Sequence, residues 1–162
     1  MKAALIRATG GPEVIQYDEL PRPEPGPTEV LVKIRAVAVN PIDTYIRAGI
    51  VPGPQKFPYI IGCDLAGVVE KIGDDVSLLE PGDRVWGSNQ GLFGRQGTFA
   101  EYAAVDEKWL YPIPQGETDT EAAAGALVGI TAHLGWFLNA QLKGGEGVCG
   151  NGGTGGARAA AV

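Results

Sequence analysis

The chain of 162 residues is poor in the side chains that form disulfides and bind transition metals, with two cysteines and one histidine. Cys63 and Cys149 lie far apart and form no Cys-x-x-Cys pair, which excludes a disulfide framework and a multi-cysteine zinc site. Because His133 is the sole imidazole, only carboxylates remain to complete any other metal site. We therefore expect no resident metal. Cys63 is interpreted either as a buried small side chain or as a residue lining a cavity.

Excess positive charge and long apolar runs are also missing. Thirteen Lys and Arg against nineteen Asp and Glu give a net charge of -6, which opposes a nucleic-acid backbone or an anionic membrane as the main partner. No uninterrupted apolar stretch reaches the roughly 18 residues that a bilayer span needs. After Lys2, four apolar residues precede Arg7, whereas a secretory signal needs about 7–15. We expect a cytoplasmic protein that binds neither nucleic acid nor membrane.

Glycine and proline are abundant, at 25 and 12 residues, and they divide the first two thirds of the chain into short apolar runs. The runs that predict strands are residues 2–7, 14–20, 29–39, 65–72, 84–87 and 99–105. In residues 29–39, Val30, Val32 and Ile34 share one face, and the last residues are apolar on both faces. This pattern predicts a strand that begins half-exposed and ends fully buried. Many short strands between turns indicate a barrel or a sandwich.

The pattern becomes helical after residue 115. Thr118 and Glu121 have the spacing of a capping box, and a helical stretch follows over residues 121–142. Gly125, Gly129 and Gly135 interrupt this stretch, and each weakens a helix by about 1 kcal/mol relative to Ala. We expect two helices or one bent helix, with the glycines permitting close packing.

A short helix is predicted directly after the strand at residues 29–39. Asn40 suits the N-cap, Pro41 suits the first helical position, and Gly49 can end the helix in the left-handed conformation. Asn40 and Tyr45 therefore mark the place where a strand becomes a helix. Spacing alone favours a structural role, in which Asn40 caps and Tyr45 packs.

A glycine-rich segment at residues 144–156 is a second candidate site. Gly153 and Gly155 fit the first two glycines of a dinucleotide fingerprint, which serve the tight turn and the approach of the backbone to a pyrophosphate. Arg158 stands where the third glycine, which permits close packing of helix and strand, is expected. A glycine-rich terminus without a ligand explains this partial motif equally well.

Several pieces of the sequence, in this order along the chain, resemble a known family. They are residues 11–14, 39–49, 62–69, 81–85, 97–102 and 152–156, which read GPEV, VNPIDTYIRAG, GCDLAGVV, PGDRV, GTFAEY and GGTGG. Together they are similar to the N-terminal part of a medium-chain dehydrogenase/reductase of the zinc-independent quinone oxidoreductase (zeta-crystallin-like) branch. The resemblance extends over residues 1–156.

The resemblance implies a mostly β fold. A GroES-like antiparallel partial barrel with short helices would occupy residues 1–118. The first helix and strand elements of a truncated Rossmann α/β domain would follow at residues 119–162. In zinc-dependent relatives a cysteine stands at the position of Asn40, and a His-Glu pair stands at the positions of Cys63 and Asp64. The resemblance therefore implies that zinc is absent.

The same resemblance implies site residues and a cofactor. Asn40 and Tyr45 would be catalytic residues that border the nicotinamide and the substrate, and Cys63, Asp64 and Thr131 would line the same pocket. NADPH would lie in the cleft between the two domains. The residues implied to bind it are Gly152, Gly153, Gly155 and Gly156.

The function implied for the parent protein is reduction of quinones or activated enones by hydride transfer from NADPH. Small-molecule substrates would be its partners, and it would be a homodimer or a homotetramer. The alternative is a stand-alone, non-catalytic GroES-like binding or interaction domain. Because the second strand of the Rossmann domain would lie beyond Val162, we expect the 162-residue chain alone to be inactive.

Overall fold

The computed structural model describes residues 1–51, 56–148 and 155–156. The strands are β1 (Lys2–Ile6), β2 (Gln16–Glu19), β3 (Glu29–Ala36), β4 (Tyr59–Ile60), β5 (Leu65–Ile72), β6 (Arg84–Gly87), β7 (Tyr102–Asp106) and β8 (Leu110–Pro112). Helix α1 spans Pro41–Ala48, and α2 spans Asp119–His133 and continues into a π-helical segment, Leu134–Asn139. Short 3-10 turns occupy Pro12–Val14 and Glu107–Trp109.

Within the described residues, the strands pair into two antiparallel sheets with the orders β2-β1-β4 and β7-β3-β5-β6-β8. Alternate residues of β3 fill the core of the larger sheet, where Val30 and Val32 pack with Leu65, Val85 and Val105. This arrangement confirms the mostly β, antiparallel prediction.

The burial predicted for residues 29–39 was wrong in direction. Residues 30–32 are buried, whereas Val37 is 40% and Val39 is 73% exposed. The reason is that β3 ends at Ala36, so the residues that follow lead out of the sheet toward α1 and have no neighbouring strand. Apolar residues on both faces there reflect a connection and not a buried strand end.

Other strand boundaries also differ from the prediction. Val14 belongs to a 3-10 turn, and β2 begins only at Gln16. Phe99 and Ala100 lie outside β7, where Ala100 forms an isolated bridge to Ala3. The two-residue strand β4 and the strand β8 were not predicted, since each is too short to show a period.

Helix α2 begins as predicted, with Thr118 at its N-cap. Thr118 Oγ1 accepts from the Glu121 N–H at 3.2 Å, and the Glu121 carboxylate accepts from the Thr118 N–H at 2.9 Å. Ala122 and Ala123 pack against Ala66 of β5 and so seat the helix on the larger sheet. The boundary predicted between residues 118 and 119 coincides with this helix start, while the division into two domains stays a prediction.

The stretch predicted as two helices or one bent helix forms one continuous helix that changes its hydrogen bonding toward its end. Its last part has π-helical hydrogen bonding, with the Ala140 N–H donating to the Gly135 carbonyl at 3.0 Å. The predicted close packing at the helix glycines is absent among the described residues, because a Cβ at Gly125, Gly129 or Gly135 would meet no atom within 4 Å.

By length and composition, the continuous helix Asp119–Asn139 could cross a bilayer, with 21 residues and a mean hydropathy of 1.2 in its most apolar window. Only 17% of this window is buried, and one such helix is by itself weak evidence for a membrane span.

Candidate functional site

Five side chains from three segments of the chain meet where β3 leads into α1: the start of α1, the residues before β5 and the residue after β6. We call them the buried polar cluster: Asn40, Asp43, Cys63, Asp64 and Ser88. Asn40 is 5% exposed, and Asp64 and Cys63 are fully buried. Buried polar groups require hydrogen-bond partners, and most of those in this cluster are supplied by other members of it.

Asn40 is placed by the start of α1. It occupies the N-cap with an extended backbone, and its N–H donates to the Asp43 carboxylate at 2.7 Å. Gly49 ends the same helix in the left-handed conformation, at φ 76°. The helix boundaries predicted from Asn40, Pro41 and Gly49 are therefore confirmed. The side-chain amide of Asn40 points away from the helix, because its Nδ2 donates to Asp64 Oδ2 at 2.8 Å.

Asp64 connects more elements than any other member of the cluster. Its Oδ1 accepts from Ser88 Oγ at 2.6 Å, and its Oδ2 accepts from Asn40 Nδ2 and from the Leu127 N–H of α2 at 3.2 Å. Its carbonyl oxygen accepts from Thr98 Oγ1 at 2.8 Å. Burial raises the pKa of Asp64, and the hydrogen bonds from Ser88 and Asn40 oppose that rise.

Asp43 and Cys63 are neighbours within the cluster, and both are buried. Burial raises the pKa of Asp43, and its Oδ1 has no hydrogen-bond partner among the described residues. Burial, with the neighbouring Asp43 charge added, raises the pKa of the Cys63 thiol strongly. A thiol that stays protonated and inaccessible is a poor nucleophile. Cys63 therefore has a packing role in this cluster.

Tyr45 and Thr131, in contrast, have accessible side chains. Tyr45 is 46% exposed on α1, and its hydroxyl forms no hydrogen bond with the described residues. Thr131 lies on the exposed side of α2, where its Oγ1 donates to the Leu127 carbonyl at 2.8 Å. Thus the structure joins Asn40, Cys63 and Asp64 in one cluster, and Leu127 connects this cluster to Thr131.

The predicted glycine site is described only in part, because Gly152 and Gly153 lie outside the described residues, as does Cys149 of the predicted strand before them. A Cβ on Gly156 would come within 2.9 Å of Val128 Cγ1 on α2. Gly156 therefore lies against α2 within one turn of Thr131. Close packing of a glycine on a helix is a feature that dinucleotide sites share, because small residues there let backbone and ligand come together.

No group of three or more His, Cys, Asp or Glu side chains in the described ranges is arranged to hold a metal ion. In the cluster, Asn40 lies between Asp43 and Asp64 and contributes an amide, whereas zinc is bound by thiolate, imidazole or carboxylate groups.

A surface cleft of about 720 Å³ lies between α2 and the strands β6 and β8. Its lining includes Ser88, Trp86, Trp109 and His133, but neither Asn40 nor Tyr45. Ser88 is therefore shared between this cleft and the buried polar cluster.

Sequence reasoning missed Ser88, Asp43 and Leu127 as parts of the site. Ser88 directly follows β6, so a polar residue at a strand end was the available signal. Asp43 lies in the first turn of α1, where an acidic residue also suits the positive end of the helix and so gives no separate signal of a site. For Leu127 there was no signal, because its contribution is a backbone N–H.

Comparisons with known proteins agree with this geometry. The model of the alcohol dehydrogenase GroES-like domain family matches residues 26–115. Quinone oxidoreductase of Homo sapiens is 36% identical over 162 residues, which are 99% of this chain and 48% of the human protein. These findings confirm the resemblance that the sequence motifs indicated.

Solved structures give the same result. A crystal structure of an alcohol dehydrogenase superfamily protein from Novosphingobium aromaticivorans has a TM-score of 0.90 and 42% identity, covering 99% of this chain and 48% of that one. Quinone oxidoreductase of Escherichia coli, complexed with NADPH, has a TM-score of 0.79 and 29% identity, covering 88% and 42%. The chain spans about half the length of the relatives it matches.

Proposed function

Because the chain belongs to the alcohol dehydrogenase GroES-like domain family, we propose that the full-length protein is an NADPH-dependent oxidoreductase that reduces quinones or activated enones. The observation that supports this proposal best is the similarity to quinone oxidoreductases over nearly the whole chain. The buried polar cluster supports the proposal independently. It fixes the Asn40 amide, a hydrogen-bond donor, at the start of α1, and the same helix carries the accessible hydroxyl of Tyr45.

Asn40 and Tyr45 are the proposed catalytic residues. Reduction of a carbonyl places negative charge on the substrate oxygen, and fixed hydrogen-bond donors stabilise that charge. An asparagine amide has two N–H donors. One of them is used by Asp64, which leaves the second for the substrate oxygen. The Tyr45 hydroxyl is the other proposed donor. Cys63 and Asp64 are fully buried and are proposed to form the floor of the pocket, where Asp64 accepts a hydrogen bond from Asn40.

NADPH is the proposed cofactor, and when bound it supplies the hydride. The residues that would hold it are Thr131, Gly155 and Gly156, together with Gly152 and Gly153. Support comes from the close approach of Gly156 to Val128 on α2 and from the exposed side of α2 that carries Thr131. The one proton that completes the reduction after hydride transfer comes from solvent in this proposal.

The reaction is proposed to proceed without zinc, since the Asn40 amide takes a place between two carboxylates. We further propose a cytoplasmic enzyme that acts on small molecules as a homodimer or a homotetramer.

The test measures oxidation of NADPH by the purified full-length protein with a para-quinone and, separately, with an activated enone. The control measures reduction of NADP⁺ by the same protein with a simple primary alcohol. We expect turnover with the quinone or the enone and none with the alcohol. A folded protein that turns over neither acceptor would contradict the proposal and favour a binding domain.

A further inference from the structure

One carboxylate connects the two elements that carry the proposed site residues. Asp64 Oδ2 accepts from Asn40 Nδ2, at the start of α1, and from the Leu127 N–H, within α2. Its other oxygen accepts from Ser88 Oγ at the end of β6. The residue is fully buried, so it cannot itself contact a substrate in this arrangement.

The connection extends to Thr131. The Leu127 residue that donates its N–H to Asp64 also accepts, through its carbonyl, from Thr131 Oγ1 at 2.8 Å. Asn40 and Thr131 lie in elements far apart in the chain, yet two residues, Asp64 and Leu127, are enough to link them by hydrogen bonds.

We propose that Asp64 is a positioning residue whose side chain fixes the orientation of the Asn40 amide relative to α2. This inference rests on the proposed function, in which Asn40 and Thr131 border the substrate and the nicotinamide. The amide torsion of asparagine is broad and has little intrinsic preference, so a buried acceptor determines which way its N–H groups point. A displacement of about 1 Å in such a donor can lower a rate by about 100-fold.

The arrangement requires acceptor atoms and does not require charge. An asparagine at position 64 has the same shape, and its amide oxygen can accept from both Asn40 and Leu127. Its NH₂ group can donate to Ser88 Oγ, because a hydroxyl both donates and accepts. Burial raises the pKa of Asp64, in keeping with a site that disfavours the charged form. Alanine, in contrast, removes the acceptor that all three donors share.

The test compares Asp64→Asn and Asp64→Ala in the full-length protein, with Thr98→Val as the matched control. Thr98→Val removes a buried hydrogen bond to the backbone of the same residue and leaves the carboxylate in place. We expect kcat/KM for quinone reduction to fall at least tenfold in Asp64→Ala. In Asp64→Asn and Thr98→Val it stays within threefold of the native value, although Thr98→Val lowers the melting temperature. A tenfold loss in Asp64→Asn would overturn the proposal, and so would unchanged kinetics in Asp64→Ala. If Asp64→Ala does not fold, Asp64→Val replaces it, because valine also removes the acceptor oxygens and fills more of the space.

A double-mutant cycle shows whether Asp64 acts through Asn40. In an Asn40→Ala background, Asp64→Ala should lower kcat/KM by a markedly smaller factor than in the native background. Equal factors in both backgrounds would contradict the proposal. If Asn40→Ala itself leaves the kinetics unchanged, the catalytic role of Asn40 fails, and the positioning role fails with it.

Nuclear magnetic resonance of the cofactor-free protein gives a readout that does not depend on activity. The Asn40 side-chain NH₂ should give two separate, slowly exchanging proton resonances in the native protein and in Asp64→Asn. In Asp64→Ala they should broaden or exchange quickly with solvent. Unchanged resonances in Asp64→Ala would overturn the inference, even for a protein that reduces no quinone.

Discussion

Asn40 shows how one side chain can serve folding and function together. Its backbone N–H donates to the Asp43 carboxylate at the start of α1, and its side-chain amide donates to the Asp64 carboxylate. Since both interactions are buried, the cap holds the residue in place and the amide is free of any capping duty. A residue fixed in this way suits a catalytic donor, because little reorganisation is needed when charge develops on the substrate.

Tyr45→Phe tests the proposed donor on α1. The hydroxyl is exposed and forms no hydrogen bond with the described residues, so its loss should leave the free energy of unfolding within about 0.5 kcal/mol. Loss of a donor to a developing oxyanion should lower kcat/KM for quinone reduction by about 100-fold. Tyr17→Phe is the control, because Tyr17 is 77% exposed on β2. Equal kinetics for the two variants would remove Tyr45 from the catalytic site.

Asn40→Asp tests the electrostatics of the buried polar cluster. The new carboxylate would face Asp64, whose pKa is already raised by burial, and two buried carboxylates raise each other's pKa further. We expect a loss of about 3 kcal/mol in the free energy of unfolding at pH 7. The folded state then binds protons more strongly than the unfolded state. Stability relative to the native protein should therefore recover as the pH falls from 7 toward 5.

Urea denaturation of both proteins at several pH values measures this difference. The native protein is the reference, because its own Asp43 and Asp64 have raised pKa values. A deficit that is the same at every pH would contradict the proximity of the two carboxylates.

The sequence was informative about Asn40 and uninformative about its partner. Local preferences identify an N-cap because the cap, Pro41 and Gly49 lie within one helix. Asp64 lies 24 positions further along the chain. Preferences that act between near neighbours in the sequence cannot predict a hydrogen bond between two residues so far apart. The motifs placed both residues near one pocket only through the family resemblance, and their burial came from the structure.

At the scale of the elements, the contact between β3 and β5 sets the position of the cluster. The two strands pair from Val30 with Ile72 to Ala36 with Ala66, and Asp64 directly precedes the start of β5 at Leu65. Gly67 permits the approach, because a Cβ there would lie 2.3 Å from the Lys33 carbonyl oxygen. Alternation predicted which residues of β3 face the core, but it could not show where the strand leaves its sheet.

Gly67→Ala should therefore destabilise the protein by about 3 kcal/mol, because backbone must move to admit the methyl group. Gly144→Ala is the control, since a Cβ at that loop position meets nothing within 4 Å, and its effect should stay within about 0.5 kcal/mol. Denaturant unfolding of the two variants provides the comparison. A Gly67→Ala variant as stable as the control would show that the strands separate at little cost.

At the scale of the whole molecule, α2 is joined to the sheet at three levels. Arg84 and Asp119 form an exposed ion pair at 2.6 Å near its start. Ala122 and Ala123 pack on Ala66, and Leu127 reaches Asp64. The ion pair contributes little, since exposed pairs add about 0–1 kcal/mol. The small residues and the partly buried hydrogen bond from Leu127 to Asp64 therefore hold the helix that carries Thr131 beside the cluster.

The central claim is that the full-length protein reduces quinones with residues of this cluster and without zinc. Its most direct test is to dialyse that protein against a strong chelator, then measure the zinc content and NADPH-dependent quinone reduction on the same sample. We predict far less than one zinc per chain and turnover equal to that before dialysis. One tightly held zinc per chain, with turnover that disappears when the metal is removed and returns when it is restored, would contradict the account.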